Sequence, residues 1–301
     1  VVIDSMRPTL RQGSRVAIAS PAGATRPELV EQGCEHLRAF GYEPVAMPHA
    51  LSRGPLYYAG TAAERVADLH TAFADSTIDG ILCTRGGWGS AELLPLLDAS
   101  LIRANPKVFV GYSDNTSLHT WLWNECGLAT FYAPMVAADW SKQDGVDERT
   151  WRATLHGEGA WSVGAGDGLR SLRDGSAHGR LLGGCLSLLV ESLGTAWAFK
   201  IHEPCILFLE DINTRPYQWD RMIQHLRFAG ALKQVTGIVF GDMTANVSAE
   251  EMPLLEAACL HALGEFAGPV AIGLQCGHVE RQNRSLPLGV RVTMEDEELS
   301  E

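Results

Sequence analysis

The strongest constraint on this chain is a change of periodicity that repeats along its first half. Short apolar, β-prone runs at 15–19, 44–47, 80–84 and 107–110 alternate with segments at 28–40, 62–74 and 91–97 whose apolar residues recur at helical spacing. Strands separated by helices pair in parallel, because each helix crosses over the sheet and returns the chain to the same edge. An α/β domain built on a parallel sheet is predicted. In the segment 62–74 the charged residues Glu64, Arg65 and Asp68 fall away from the apolar stripe, and all three are expected in solvent.

Between 139 and 178 the periodicity decays into a stretch rich in Gly, Asp and Trp that includes Gly164-Ala165-Gly166-Asp167-Gly168. It reads as a crossover with one short helix near 148–154. Beyond it, strands are predicted at 206–209, 237–240 and 270–274, with helices at 216–228 and 249–263. The expected division is therefore 1–138 as an N-terminal α/β domain, 139–178 as an interdomain crossover and 179–301 as a C-terminal mixed α/β domain. A length of 301 residues is enough for two cores.

Several classes of function are disfavoured by composition. The net charge of -12 and the lack of a Lys/Arg cluster argue against nucleic acid and against an anionic membrane surface. Apolar runs such as 186–190 and 205–209 are far shorter than the roughly 20 residues that a membrane helix needs. Residues 1–15 lack a cationic start followed by an apolar core, so no secretory leader is expected there. The cysteines are odd in number, seven, and scattered through apolar segments, as in a reducing compartment. Neither a Cys-x-x-Cys pair nor a His-x-x-x-His cluster is present, which weakens any zinc reading. Cys276, two residues before His278, is the one cysteine suggestively placed for a nucleophile.

Four predicted strand ends carry residues with chemical potential, and α/β sheets bind ligands outside the carboxyl ends of their strands. Val108-Phe109-Val110-Gly111-Tyr112-Ser113-Asp114-Asn115-Thr116 runs from strand to turn to helix, placing a serine near free helix N–H groups. The same residue types also make an ordinary helix cap. Thr84-Arg85-Gly86-Gly87-Trp88-Gly89-Ser90 has glycines that can turn N–H groups toward an oxyanion, or simply form a turn; it does not fit a P-loop, and three glycines alone make a weak dinucleotide signal. Ile206-Leu207-Phe208-Leu209 ends in Glu210 and Asp211, either of which could orient a histidine or cap the next element. Ala271-Ile272-Gly273-Leu274-Gln275-Cys276-Gly277 leads to His278, one of ten histidines.

In this order, Arg85 to Gly89, Gly111 to Asp114, Gly183 to Leu186, Leu209-Glu210 and Gly277-His278 resemble the L,D-carboxypeptidase family of serine peptidases, which also contains the microcin C immunity peptidases. The correspondence runs from about Ser20 to about Gly289. The resemblance implies two α/β domains with the active site at their junction. It makes Ser113 the nucleophile, His278 the general base and Glu210 its orienting carboxylate, with backbone N–H groups of Gly87 and Asp114 as the oxyanion hole. Arg85, Arg215 and Arg221 are candidates for the substrate carboxylate, and Trp88 is a candidate substrate contact.

The activity implied is release of the terminal D-alanine from muropeptide tetrapeptides in cell-wall recycling. The implied enzyme is cytoplasmic, with no metal and no organic cofactor. Its partner is a muropeptide, not nucleic acid or a membrane, and a homodimer is one assembly open to it. Two other readings stand beside this one: a microcin C-type immunity peptidase cleaving an aminoacyl or peptidyl nucleotide, and a catalytically silent peptide-binding protein. Trp88 stands where the family usually has Tyr, and Ala133 where it usually has Gly, so substrate identity is the less constrained part.

Overall fold

The computed structural model describes residues 6–301, so the leader reading of 1–15 lies in part outside the described residues. Contacts divide the chain into two units. One takes the chain to Gly159 and then Arg281–Gly289; the other takes Ala160–Glu280 and Val290–Glu301. The sequence-based boundaries at 138 and 178 differ from this division. Residues 139–159 pack into the first unit, and a late segment rejoins it.

The first unit contains β1 (Arg15–Ala19), α1 (Pro27–Phe40), β2 (Glu43–Ala46), α2 (Ala62–Ala74), β3 (Gly80–Cys83), α3 (Ala99–Ala104), β4 (Val108–Gly111), α4 (Thr116–Cys126), β5 (Thr130–Tyr132) and α5 (Glu148–Trp151). The second holds β6 (Ser162–Val163), β7 (Arg170–Arg173), β8 (Ser176–Cys185), α6 (Leu186–Ser192), β9 (Cys205–Glu210), α7 (Pro216–Phe228), β10 (Val235–Gly241), α8 (Met252–Leu263) and β11 (Val270–Leu274). The chain then gives β12 (Leu286–Leu288) to the first unit and β13 (Arg291–Glu295) and β14 (Glu298–Ser300) to the second.

In the first unit the sheet order is β12-β5-β4-β3-β1-β2. The five strands from β5 to β2 are parallel and β12 runs antiparallel to β5. Helix α1 starts with Pro27 in its first turn, stops at Gly41 (φ 105°), and buries Val30, Gly33, Cys34 and Leu37 at helical spacing. Gly33 is required there: a Cβ would lie 2.3 Å from the carbonyl oxygen of Val136. With Val16, Ile18, Val108, Val110, Phe131, Trp140 and Trp151, this stripe forms a continuous core.

Helix α2 corrects one expectation. Thr61 and Glu64 form a reciprocal capping box, but Arg65 and Asp68 are buried, at 2% and 3% exposure. The chain between β2 and α2 folds back over that face, satisfying Asp68 through His49 and placing the Tyr58 ring on Arg65, whose own hydrogen bonds go to Pro21, Gly89 and Glu92. Asp68 accepts from the backbone N–H of His49 at 2.9 Å and from its Nδ1 at 2.8 Å. The Arg65 guanidinium lies 4.9 Å from the centre of the Tyr58 ring. The segment predicted as a helix at 91–97 is a 3₁₀ turn, Ser90–Leu96, with Pro95 inside it and α3 following.

The second unit is the mixed α/β unit expected. Its sheet order is β6-β14-β13-β8-β9-β10-β11-β7. The central strands β8, β9, β10 and β11 are parallel, flanked by antiparallel neighbours on both sides. Every residue of β9 is buried, so this strand is apolar throughout until it ends in Glu210. Among the described residues, no helix is long and apolar enough to cross a membrane.

Candidate active site

In the first unit, β4 ends in a turn that places Ser113 at φ 63°, the left-handed region that a non-glycine residue enters at a cost of roughly 1–2 kcal/mol. Tyr112 before it is extended, a 3₁₀ turn Ser113–Asn115 follows, and α4 continues from Thr116. This is a sharp strand-to-helix corner with a partly exposed serine. It is not a side-chain cap, since neither Tyr112 nor Asn115 makes a capping bond at these helix starts.

The corner is tied down on every side. The Ser113 N–H donates to Tyr132 Oη at 3.0 Å. The side-chain amide of Asn115 donates to the Tyr112 carbonyl at 3.1 Å. Gly86 lies against the serine: a Cβ there would be 2.7 Å from Ser113 Cβ and 2.8 Å from Oγ. Gly87 follows at φ 110°, and the Asp114 carboxylate accepts from the backbone N–H of Ser90 at 2.8 Å. The glycine turn and the serine corner are thus one packed assembly, and Gly86 is the glycine in contact with the serine.

Two buried titratable groups stand behind it. His119 Nε2 lies 2.9 Å from the Gly111 carbonyl, which only accepts, so Nε2 carries the hydrogen and Nδ1 accepts from the Thr130 hydroxyl at 2.8 Å. Burial pushes His119 down from 6.5 to about 4, against the smaller raising effect of the Gly111 bond. Asp139 accepts from the Met135 N–H at 2.8 Å, and burial pushes it up from 3.8 to about 6.

These two groups act on stability with opposite signs. His119 protonates more readily in the unfolded chain, so its contribution is present above pH 6.5 and lost as pH falls toward 4. Asp139 protonates more readily in the folded chain, so its contribution is present below pH 3.8 and lost as pH rises through 6. Each is worth about 3 kcal/mol, so they largely offset between pH 4 and 6. Replacing His119 by Asn should uncover the Asp139 half. Compared with wild type, the variant should be less destabilised at pH 4 than at pH 7 by about 3 kcal/mol in denaturant unfolding. A deficit equal at both pH values would mean that His119 is not held neutral.

In the second unit, Glu210 is 1% exposed at the end of β9. Its Oε2 accepts twice from His278, from the backbone N–H at 3.1 Å and from Nδ1 at 2.7 Å. Two glycines make room for the carboxylate. A Cβ on Gly277 (φ 95°) would lie 2.6 Å from Glu210 Cδ, and one on Gly241 would lie 2.7 Å from Glu210 Cβ. Asp211 turns elsewhere: its carboxylate accepts from the Ser187 N–H at the start of α6 and from its own neighbour Ile212, both at 2.8 Å. Asn246 locks the following loop, donating to the Asp211 carbonyl and accepting from the Thr214 N–H.

Ser113, Gly87 and Asp114 therefore belong to the first unit, and Glu210 and His278 to the second. Cys276 is 1% exposed, which leaves its thiol inaccessible as a nucleophile. Arg85 is exposed and donates to the Ala24 carbonyl at 3.3 Å, while Trp88 beside it is 38% exposed. Arg215 is exposed just before α7, where its N–H donates to Gln218 Oε1 at 2.9 Å. Arg221, also exposed, lies in the second turn of α7 with its guanidinium 5.8 Å from the Tyr217 ring centre. Sequence reasoning missed the roles of Tyr132 and His119, whose partners come from neighbouring elements: Ser113 beyond β4 for Tyr132, and Gly111 on β4 with Thr130 on β5 for His119. It also passed over Gly86, although the Gly86-Gly87 pair was itself the available signal.

Residues 16–133 match the LD-carboxypeptidase N-terminal domain, and residues 178–294 match the LD-carboxypeptidase C-terminal domain. A Bacillus subtilis protein named "Probable murein peptide carboxypeptidase" is 32% identical over 289 residues, covering 95% of this chain and 90% of its own length. The solved muramoyltetrapeptide carboxypeptidase from Oxalobacter formigenes is 26% identical with a TM-score of 0.83, covering 95% of this chain and 97% of that one. The structure of MccF in complex with glutamyl sulfamoyl guanosine shares the fold, with a TM-score of 0.90 at 23% identity over 98% of this chain and 97% of its own. With both domains matched over most of its length, the chain belongs to the LD-carboxypeptidase family of peptidases.

Proposed function

We propose that this peptidase is a serine-type L,D-carboxypeptidase that releases the terminal D-alanine from muropeptide tetrapeptides. The observation that carries the reading is the Glu210–His278 bond. A buried carboxylate that accepts from Nδ1 fixes the imidazole tautomer and leaves Nε2 as the basic nitrogen, the arrangement a serine nucleophile needs. The left-handed corner at Ser113 supports it from the other unit, since strain of this kind persists where surrounding contacts over-determine a functional residue. The names of the Bacillus and Oxalobacter relatives supply the substrate class.

In this mechanism Ser113 Oγ attacks the carbonyl that joins an L-centre to the terminal D-alanine, and His278 takes the serine proton. The N–H groups of Gly87 and Asp114 stabilise the oxyanion. As the C–N bond breaks, His278 gives its proton to the departing D-alanine amine, and water then releases the tripeptide from Ser113. Arg85, Arg215 and Arg221 are candidate cations for the D-alanine carboxylate, and Trp88 is a candidate substrate contact. The buried cysteines, none of them in a disulfide among the described residues, suit a cytoplasmic setting.

Incubation with murein tetrapeptide, followed by mass spectrometry, should show loss of one alanine residue. An aminoacyl sulfamoyl adenosine tested in parallel addresses the immunity-peptidase reading. Turnover of the nucleotide alone would replace the proposed substrate class, and turnover of neither would favour a silent binding protein.

A further inference from the structure

The most completely buried cation near the serine corner has no part in the mechanism above. The Arg65 side chain is 1% exposed, and its guanidinium holds the glycine turn from behind. Nη1 donates to the carbonyls of Pro21 at 2.8 Å and Gly89 at 2.7 Å, and Nη2 donates to Glu92 at 2.6 Å. Gly89 has no room for a side chain: a Cβ would lie 2.7 Å from Arg65 Nη1 and 2.6 Å from the Tyr58 ring. Keeping a guanidinium out of water is costly unless its donors are used, and here the two terminal nitrogens are spent on two backbone carbonyls and a carboxylate while Nε is buried without a hydrogen-bond partner.

The peptide unit between Gly89 and Ser90 is gripped from both ends. Arg65 takes the Gly89 carbonyl, and the Asp114 carboxylate takes the Ser90 N–H at 2.8 Å. Ser90 returns the contact, its hydroxyl donating to the Asp114 carbonyl at 2.5 Å. Asp114 is the residue after Ser113, and Gly86, at the start of the same glycine turn, touches Ser113 itself. A movement of the Gly89–Ser90 unit therefore reaches both of the segments to which the proposed mechanism assigns the oxyanion-binding N–H groups.

We propose that Arg65 is a positioning residue that clamps the Gly89–Ser90 peptide against Asp114 and so sets the oxyanion-binding N–H groups relative to Ser113. It touches neither the substrate nor the serine. This proposal rests on the serine-nucleophile reading, and its test separates the two. A fluorophosphonate reports on the nucleophile and oxyanion site without depending on muropeptide recognition. Its phosphorus bonds to Ser113 Oγ, the P–F bond breaks to release fluoride, and the serine proton passes to His278.

Wild type should label at Ser113. Arg65→Met should label about 10- to 100-fold more slowly, because a misplacement near 1 Å costs up to about 100-fold. Arg65→Lys, which keeps the charge and one donor direction, should recover part of that rate. With tetrapeptide, the loss should fall on kcat, with KM within about two-fold. Ser90→Ala removes a single hydroxyl and should also slow labelling, by several-fold; if Arg65→Met does not fold, Ser90→Ala decides. Labelling of the folded variants at the wild-type rate would overturn the clamp while leaving the serine assignment standing. A wild-type protein that does not label at Ser113 would overturn the serine reading and the clamp with it.

Discussion

Ser113→Ala is expected to lower tetrapeptide hydrolysis by about four orders of magnitude or more while leaving a folded protein. Losing the nucleophile of a triad removes nearly all of the rate that its members supply together, and only the contribution of binding and the oxyanion donors remains. Stability should change little, because the hydroxyl is partly exposed and the backbone contacts of the corner, including the bond from the Ser113 N–H to Tyr132, do not involve it. The backbone at φ 63° adds a second reading of the same site. Alanine keeps the left-handed strain, whereas glycine adopts that conformation freely, so Ser113→Gly should be as inactive as Ser113→Ala and about 1 kcal/mol more stable than it. Steady-state turnover and thermal unfolding of the pair check both parts. Activity within a few-fold of wild type in either variant would remove Ser113 from the mechanism.

The second large effect separates two adjacent carboxylates. Glu210→Gln should reduce kcat by roughly three to four orders of magnitude, since an amide in place of the carboxylate no longer favours the Nδ1–H tautomer or the imidazolium formed during attack. The pocket admits no compensating shift, because Gly277 and Gly241 already press against the Glu210 side chain. Asp211→Asn should act on a different quantity. Its carboxylate receives the Ser187 N–H at the start of α6 and the Ile212 N–H, so the substitution should cost about 1 kcal/mol in stability and only a few-fold in kcat. Measuring kcat and unfolding midpoint for both variants distinguishes the roles. The reverse ranking in kcat would transfer the orienting role to Asp211.

Much of this protein was legible from local rules. Alternating strand and helix periods are set by which face each residue shows, so the parallel arrangement of β1 to β4 and the apolar run of β9 followed from spacing alone, whereas the three-residue β5 did not. Polar or glycine residues at strand ends likewise marked the segments around Ser113, Gly87, Glu210 and His278, because turn chemistry is written in adjacent residues. Short or irregular elements were not legible. The turn at Ser90–Leu96 carries a proline that a helical period does not reveal, and β12 joins the first unit only by pairing with β5 from more than a hundred residues away.

What tertiary structure decided was which polar groups left water, and with which partners. Arg65 and Asp68 lie off the apolar stripe of α2, and on pattern alone they belong in solvent. They are buried because distant segments cover that face: His49 donates to Asp68, while Arg65 donates to the Pro21 and Gly89 carbonyls and to Glu92 with the Tyr58 ring packed against it. Glu210 and Asp211 are equivalent on paper, and long-range contacts set them apart: His278 arrives 68 residues later to meet Glu210, while Asp211 turns to the start of α6. The sequence by itself determined where turns, strands and candidate chemistry fall, since those depend on neighbours along the chain. Partner choice depends on groups distant in sequence, whose desolvation is tolerable only when a complementary donor or acceptor arrives with them, and that was decided by the fold.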